Sequence, residues 1–278
     1  MADIDVFSLD AEGLKQLNTQ TFQRDFTPKE ILYLVAVTGN YLKLPPVPPV
    51  GTRSEVVKYH IKLKSGLCSD GFINFKLLLK DYPGCRGILA RQMVRKLKGM
   101  FNDGYERPDW IVGIPDAATE LGMDVANMLG LDFIELEKVN NKIFLDDGYA
   151  RLIASNETIL LVEDLCTMGT GVTETIEEFF FNKILKKRSG VRILPYIMYI
   201  TNRGPLSTVD VDKVGSFEIV PFFRERISEI EPGPTTCPYC FNGSEPIKAK
   251  EGDNWEILNR MEMIDVWSDG GPGNIPFD

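Results

Sequence analysis

Residues 159–171, which read ILLVEDLCTMGTG, combine side chains that could bind a sugar phosphate. An apolar run typical of a buried strand ends in two acids, Glu163 and Asp164, and a loop of Thr and Gly leads into the next helical stretch. Ligands bind beyond the carboxyl ends of the strands in open parallel sheets. Glycines at a helix N-terminus let backbone N–H groups surround an anion, while carboxylates suit hydroxyl groups. The pattern therefore predicts a site for a small molecule with a phosphate and vicinal hydroxyls, such as a ribose 5-phosphate.

The loop after the acid pair is not one of the common nucleotide-binding motifs. It lacks the lysine of GxxxxGK[ST], and it does not contain GxGxxG. The alternative is an ordinary strand end with two solvated acids and a Thr/Gly turn. The order of apolar run, acid pair, Thr/Gly loop and helix is more restrictive than that alternative and favours binding. The predicted phosphate-binding residues are Thr167, Met168, Gly169, Thr170 and Gly171.

The same stretch resembles the phosphoribosyl diphosphate signature of type I phosphoribosyltransferases, in which apolar residues precede an acidic pair and a T-x-G-T-like loop. The resemblance implies that Glu163 and Asp164 are catalytic residues that hold the ribose 2- and 3-hydroxyls, and that the loop binds the 5-phosphate. It also implies Mg²⁺ bound through phosphoribosyl diphosphate. The reaction would be displacement of diphosphate from the ribose C1 by a base nitrogen, with oxocarbenium character at C1.

Residues 61–75, IKLKSGLCSDGFINF, indicate which phosphoribosyltransferases the chain resembles most. They resemble the LKSG-x-x-S-x-x-F-x-N segment of orotate phosphoribosyltransferases. The matching positions are Leu63, Lys64, Ser65, Gly66, Ser69, Phe72 and Asn74. The resemblance implies that Lys64 and Phe72 bind the base, that the base is orotate, and that the product is orotidine monophosphate, a step of pyrimidine biosynthesis. Taken alone, the segment is equally consistent with a β-hairpin that has a polar loop and a core phenylalanine.

Two further segments resemble the orotate enzymes in order and spacing. Residues 110–126 resemble the diphosphate loop and the helix after it, and the assigned loop residues are Asp116, Ala117, Ala118 and Thr119. Arg203 follows an apolar strand, where the family keeps an arginine for the orotate carboxylate, and a guanidinium suits a planar carboxylate. Thr167 is expected to contribute to the base site as well. The alternative for Arg203 is a surface arginine.

The chain also departs from the family pattern. The family's lid loop carries lysines and a His-Gly-Glu-Gly-Gly run, but residues 137–152 read EKVNNKIFLDDGYARL here. Lys138 and Lys142 could supply positive charge, and Lys138 is predicted to be catalytic. The diphosphate loop lacks the family's lysine and precedes Glu120, whose charge would oppose a leaving diphosphate. Two other functions on the same fold stay open: a non-catalytic sensor of phosphoribosyl diphosphate or a nucleotide, and a transferase for a different base.

A CPYC segment near the C-terminus has the spacing of metal ligands at Cys237 and Cys240. A closed structural zinc site needs four ligands, and no second CxxC occurs in the chain. The remaining cysteines are scattered along the sequence: Cys68, Cys85 and Cys166. A turn-forming knuckle is therefore predicted rather than a zinc site, and no metal ligand is assigned. The single histidine, His60, is predicted to be an ordinary strand residue.

The elements around these motifs predict an α/β fold, in which residues 71–79 and 131–138 are strands and residues 171–190 form a helix with a basic C-terminal end at 183–188. Apolar strands alternate with helical stretches in residues 55–225, which implies βαβ units and a central parallel β-sheet flanked by helices, as in type I phosphoribosyltransferases. Residues 8–43 are predicted to be helical, and residues 1–54 to form an N-terminal helical region that covers the site as a hood. Residues 226–278 are predicted to be a small C-terminal extension.

Composition places the chain among ordinary globular proteins, with 44% hydrophobic and 26% charged residues in 278. A net charge of -9 argues against binding to nucleic acid or an anionic membrane. The five cysteines are an odd number and are mostly scattered along the sequence, so we expect reduced thiols. We see no long apolar run and no secretory signal, so we expect a cytoplasmic location. The expected partners are small-molecule substrates, and the resemblance alone implies a homodimer.

Overall fold

The computed structural model describes residues 5–18, 22, 24–140, 142–179 and 189–261. Its helices are α1 (Ala11–Lys15), α2 (Pro28–Val37), α3 (Phe75–Asp81), α4 (Pro83–Asn102), α5 (Thr119–Leu129), α6 (Asp147–Leu152), α7 (Thr170–Glu177), α8 (Pro238–Phe241) and α9 (Asn254–Arg260). The strands are β1 (Tyr41–Lys43), β2 (Tyr59–Lys62), β3 (Cys68–Ser69), β4 (Gly71–Ile73), β5 (Trp110–Gly113), β6 (Asp132–Ile134), β7 (Leu136–Val139), β8 (Lys142–Leu145), β9 (Thr158–Cys166), β10 (Arg192–Asn202), β11 (Thr208–Val211), β12 (Gly215–Arg224), β13 (Glu229–Ile230) and β14 (Glu245–Lys248).

The described residues form two compact units. The first comprises those of Met1–Ile31 and Phe75–Glu225, and the second comprises those of Leu32–Asn74 and Arg226–Asp278. The predicted basic end of the helix after the loop, at residues 183–188, and the tail at 267–278 lie outside the described residues. Among the described residues, no helix combines the length and the apolar character needed to cross a bilayer.

A six-stranded sheet forms the centre of the first unit, in the order β11-β12-β10-β9-β5-β6. All neighbouring strands are parallel except β11 and β12. Strand β5 is buried along its whole length, and so are residues 158–162 of β9. Continuous apolar burial is typical of parallel strands that are covered on both faces. Helices α4, α5 and α7 pack against strands of this sheet, which confirms the predicted α/β class with a mostly parallel central sheet.

The second unit contains a four-stranded sheet, β13-β3-β2-β14, and the antiparallel pair β1–β4. Strand β14 lies near the C-terminus and pairs in parallel with β2, so the predicted extension shares a sheet with the segment around residue 60. The compact units therefore group the chain differently from the predicted divisions after residues 54 and 225. The role of residues 1–54 as a hood remains a prediction.

Several predicted elements need correction. Residues 75–79, predicted as strand, begin helix α3, because the buried Phe75, Leu78 and Leu79 recur at helical spacing. Residues 8–43 are only partly helical, since β1 lies at 41–43. The single strand predicted for 131–138 is two strands in different sheets, β6 and β7. Strand β9 continues past the acid pair to Cys166, because its pairing with β10 extends to Asn202.

Candidate functional site

The acid pair lies near the carboxyl end of β9, beside Tyr199 of β10. Glu163 is paired with Tyr199 in the register of the two strands. Both residues keep a buried polar atom, Oε2 of Glu163 and the hydroxyl of Tyr199, and neither atom has a hydrogen-bond partner among the described residues. Burial, and next the charge of Asp164, raises the pKa of the Glu163 carboxyl to about 8, although the positive charge of Lys138 opposes the rise. The Glu163 carboxyl therefore titrates near neutral pH, and Asp164 is half-buried next to it.

The predicted phosphate loop presents free backbone donors at the start of α7. Gly169 precedes the helix with φ +71°, and a Cβ there would lie 2.6 Å from Val209 Cγ2, so both conformation and space require glycine. The first helical bond runs from the Thr173 N–H to the Gly169 carbonyl, at 2.9 Å. Among the described residues, the backbone N–H groups of residues 170–172 donate to no backbone acceptor. Such unsatisfied donors at a helix N-terminus form a cradle for an anion.

The acid pair and the loop meet at Gly171. A Cβ at Gly171 would lie 2.8 Å from Glu163 Oε1 and 3.4 Å from Ile114 Cγ2. The Glu163 carboxyl therefore approaches the first turn of α7 so closely that only glycine fits between them. This contact places the carboxyl against the anion cradle and away from bulk solvent, as a site for one ligand with both a phosphate and hydroxyls requires.

Arg203 donates hydrogen bonds to the predicted phosphate loop and to the residue before it. Its Nε donates to Thr167 Oγ1 at 3.0 Å, and its N–H donates to the Cys166 carbonyl at 3.1 Å. A Cβ at the adjacent Gly204 would lie 2.2 Å from the Thr167 carbonyl oxygen, so the turn after β10 packs directly on the loop. The structure thus brings Arg203 to Thr167, where it supports the loop, while its predicted contact with a base carboxylate remains a prediction.

The predicted diphosphate loop lies between β5 and α5. The Pro115–Asp116 peptide bond is cis. Asp116 pairs with Lys76 of α3 at 3.0 Å, and both side chains are about half exposed. Glu120 forms an ion pair with Arg86 of α4. Because the guanidinium offsets the Glu120 charge, this carboxylate repels a diphosphate less than the sequence implied.

Lys76 is a site residue that the sequence analysis missed. It supplies a cation beside a loop that has no lysine of its own. No local motif marks it, because it comes from a helix 40 residues earlier in the chain than its partner Asp116. Only the fold brings the two together.

The predicted lid segment forms an antiparallel hairpin of β7 and β8. Lys138 and Lys142 are both exposed on this hairpin. The positive charge of Lys138 lowers the pKa of Glu163, which places this lysine within electrostatic range of the acid pair. Lys138 therefore contributes positive charge near Glu163, although the catalytic role of Lys138 remains a prediction.

The two predicted base-binding residues belong to the second compact unit. Lys64 is exposed in the turn between β2 and β3, where the Gly66 N–H donates to the Leu63 carbonyl at 3.0 Å. Phe72 packs edge-to-face against Trp255, with ring centroids 5.7 Å apart. Phe72 is thus partly engaged by an aromatic neighbour within its own unit.

No protein-family model matches the chain. The orotate phosphoribosyltransferase of Caldanaerobacter subterraneus subsp. tengcongensis is 31% identical over 120 residues, which are 43% of this chain and only 58% of that relative. The orotate phosphoribosyltransferase of Nitratiruptor is 26% identical over 203 residues, 69% of this chain and 91% of that relative. A solved orotate phosphoribosyltransferase from Aeropyrum pernix has a TM-score of 0.42 and 15% identity, and the match covers 62% of this chain and 81% of that one. The curated relatives confirm the resemblance predicted from the motifs.

Proposed function

We propose that this protein transfers ribose 5-phosphate from phosphoribosyl diphosphate to a nucleobase, with orotate as the acceptor. The observation that carries the proposal is the contact between Glu163 Oε1 and the Gly171 position. It combines a carboxyl group and a cradle of free N–H groups in one site. The relatives named orotate phosphoribosyltransferase support both the transfer and the choice of base.

The 5-phosphate would bind to the backbone N–H groups at the start of α7, where the helix dipole also favours an anion. The ribose hydroxyls would donate to the carboxyl groups of Glu163 and Asp164. Burial holds the pKa of Glu163 near 8, so a hydroxyl donor or a nearby cation would favour its ionised form. Substrate binding would thereby convert a buried acid into a carboxylate that faces the sugar.

In the reaction, the bond between ribose C1 and the diphosphate oxygen breaks, and its electron pair leaves with the diphosphate. The lone pair of a base nitrogen forms the new bond to C1, and the proton that this nitrogen carried is released to solvent. Positive charge that develops at C1 would be stabilised by Asp164, and by Glu163 once ionised, because preorganised charges act strongly in a site that excludes water. Lys76 and Lys138 would attract the departing diphosphate.

Magnesium fits the donor set of this site, because the carboxylate oxygens of Glu163 and Asp164 are hard ligands. When bound together with the diphosphate, it would supply positive charge to the leaving group. The carboxyl groups and the N–H groups of the loop would hold the sugar phosphate.

The raised pKa of Glu163 is also compatible with a second function, a sensor that binds phosphoribosyl diphosphate without turning it over. The diphosphate loop without a lysine and the lid segment without the His-Gly-Glu-Gly-Gly run favour the sensor as well. The packing of Phe72 against Trp255 leaves a third function open, transfer to a base other than orotate.

One assay distinguishes these functions. The purified protein is supplied with phosphoribosyl diphosphate, Mg²⁺ and each of a panel of bases, and loss of base absorbance and release of diphosphate are measured. The proposal predicts turnover with orotate. Turnover with another base would identify the acceptor, tight binding without turnover would establish the sensor, and neither binding nor turnover would refute the proposal.

Asp164→Asn tests the assigned ribose contact. Loss of a hydrogen bond to a charged group costs about 1.5–3 kcal/mol, so the affinity for phosphoribosyl diphosphate should fall roughly 10- to 150-fold. The melting temperature should stay close to that of the parent. Asp212→Asn is the matched control, because Asp212 is exposed in the turn after β11, and it should bind normally. A large loss of thermal stability in Asp164→Asn would show that the role of this residue is structural.

We also propose that the chain acts on small molecules as a homodimer, as the family resemblance implies. Light scattering should give twice the mass of one chain. The mass of a single chain would contradict the proposal.

A further inference from the structure

Four side chains that commonly ligate metals meet in the second compact unit. They come from three elements: His60 from β2, Cys68 from β3, and Cys237 and Cys240 from the start and the middle of the α8 turn. One potential ligand atom from each lies within 4.8 Å of every other. His60, Cys68 and Cys237 are fully buried, and Cys240 is partly buried. The cysteine pair of the CPYC segment thus has two further ligands beside it.

The distances within this Cys3His cluster match a tetrahedral metal site. Thiolates about 2.3 Å from one zinc ion at tetrahedral angles would lie about 3.8 Å apart, and a thiolate and an imidazole nitrogen would lie about 3.6 Å apart. Cys68 Sγ and Cys240 Sγ are 3.8 Å apart. His60 Nε2 lies 3.2 Å from Cys68 Sγ, 3.6 Å from Cys240 Sγ and 3.8 Å from Cys237 Sγ. The three sulfurs are free thiols, and the separation of Cys68 and Cys240 is far too long for a disulfide bond.

The imidazole of His60 is held in the orientation that metal ligation requires. Its Nδ1 lies 3.0 Å from Ser244 Oγ, and Ser244 is itself buried. When Nδ1–H donates to this hydroxyl, the lone pair of Nε2 points at the three sulfurs. The ring also stacks on Tyr239 at 5.3 Å, and the Tyr239 hydroxyl donates to the Pro45 carbonyl at 2.9 Å.

The backbone around the two C-terminal cysteines forms a compact knuckle. Pro238 occupies the first position of α8, and the Phe241 N–H donates to the Cys237 carbonyl at 2.9 Å, which turns both sulfurs to one side. The parallel pairing of β14 with β2 then brings the knuckle to His60. Cys68 and Cys240 meet across 172 residues of sequence.

We propose that His60, Cys68, Cys237 and Cys240 bind one Zn²⁺ ion in a structural Cys3His site. Three thiolates and one imidazole in tetrahedral arrangement favour zinc over harder cations. All four coordination positions are filled by protein, so the site has no open position for catalysis. The ion would tie the C-terminal segment to the β2–β3 hairpin and stabilise the second unit. The proposal replaces the predicted knuckle without metal and gives His60 the role of a ligand instead of an ordinary strand residue.

Metal analysis of the full-length protein, purified without chelator, tests the proposal. One equivalent of zinc per chain is expected, and Cys240→Ser should lose most of it. Cys240 is chosen because it is the least buried of the four ligands. Cys85→Ala is the matched control, since Cys85 is a buried free thiol in α4 outside the cluster, and it should retain a full equivalent.

Cobalt replacement keeps the test decisive if Cys240→Ser fails to fold. The parent protein is stripped of metal and titrated with Co²⁺, and a tetrahedral thiolate site gives intense visible bands and sulfur-to-cobalt charge-transfer bands that saturate at one equivalent. Zinc should abolish these bands. The proposal would be overturned if the parent protein, with its thiols reduced, contained almost no zinc and gave no such cobalt bands. A full equivalent of zinc retained in Cys240→Ser would also overturn it, and so would a full equivalent of iron in place of zinc in the parent.

Discussion

Replacing Gly171 by alanine tests the contact between the acid pair and the phosphate loop. The added Cβ would lie 2.8 Å from Glu163 Oε1, which is closer than a carbon and an oxygen can approach, so the carboxyl must move. The second neighbour, Ile114 Cγ2 at 3.4 Å, is in ordinary contact and need not move. Gly171→Ala therefore displaces the Glu163 carboxyl and fills space beside the backbone N–H groups at the start of α7.

Two effects of Gly171→Ala on stability oppose each other. Alanine in place of glycine stabilises a helix by about 0.5–1 kcal/mol, and displacement of a buried carboxyl costs a similar amount. The melting temperature should therefore change little. Binding should change much more, because a displaced Glu163 loses its hydrogen bond to the ribose, worth about 1.5–3 kcal/mol, or roughly 10- to 150-fold in Kd.

Calorimetric titration with phosphoribosyl diphosphate and Mg²⁺, together with a thermal melt, measures both quantities. Gly99→Ala is the matched control, since Gly99 lies within α4 with no atom within 4 Å of an added Cβ. The control should be as stable as the parent or more stable, and it should bind normally. Normal binding by a folded Gly171→Ala variant would refute the placement of Glu163 against the ligand.

Two further predictions concern the charges of the site. The folded protein keeps a proton on Glu163 up to about pH 8, whereas the ordinary carboxyl pKa is 4.5, so the free energy of unfolding should fall as the pH rises through this window. Urea denaturation across the window should show a smaller fall for Glu163→Gln, and identical slopes would contradict the raised pKa. Lys76→Ala should weaken diphosphate binding by up to about fivefold, the small effect expected of a half-exposed charge. Competition binding should show no change for the exposed Lys98→Ala, and equal effects of both variants would remove Lys76 from the site.

The sequence predicted strand β9 and the glycine-containing loop before α7 because these signals are local. The apolar run before Glu163 is bounded by a turn signal, as expected of a buried strand. Gly169 and Gly171 are required by positive φ and by a close contact, respectively. Residues 75–79 were assigned wrongly because a short apolar run fits a strand and a buried helix alike.

The sequence did not predict the contacts that depend on long-range pairing. Lys76 reaches Asp116 from a preceding helix, and Arg86 neutralises Glu120 from α4. The Cys3His cluster escaped notice because His60 and Cys68 have no motif of their own. Only the pairing of β2 with β14 places them beside the CPYC knuckle.

The most direct test of the sugar-phosphate site follows the backbone N–H groups of Thr170, Gly171 and Val172 by NMR while ribose 5-phosphate is added. These N–H groups donate to no backbone acceptor among the described residues, so a bound phosphate should become their partner. We expect their resonances to shift downfield together and to saturate with one binding constant. Unchanged resonances at these three positions, with ribose 5-phosphate bound elsewhere or not at all, would contradict it.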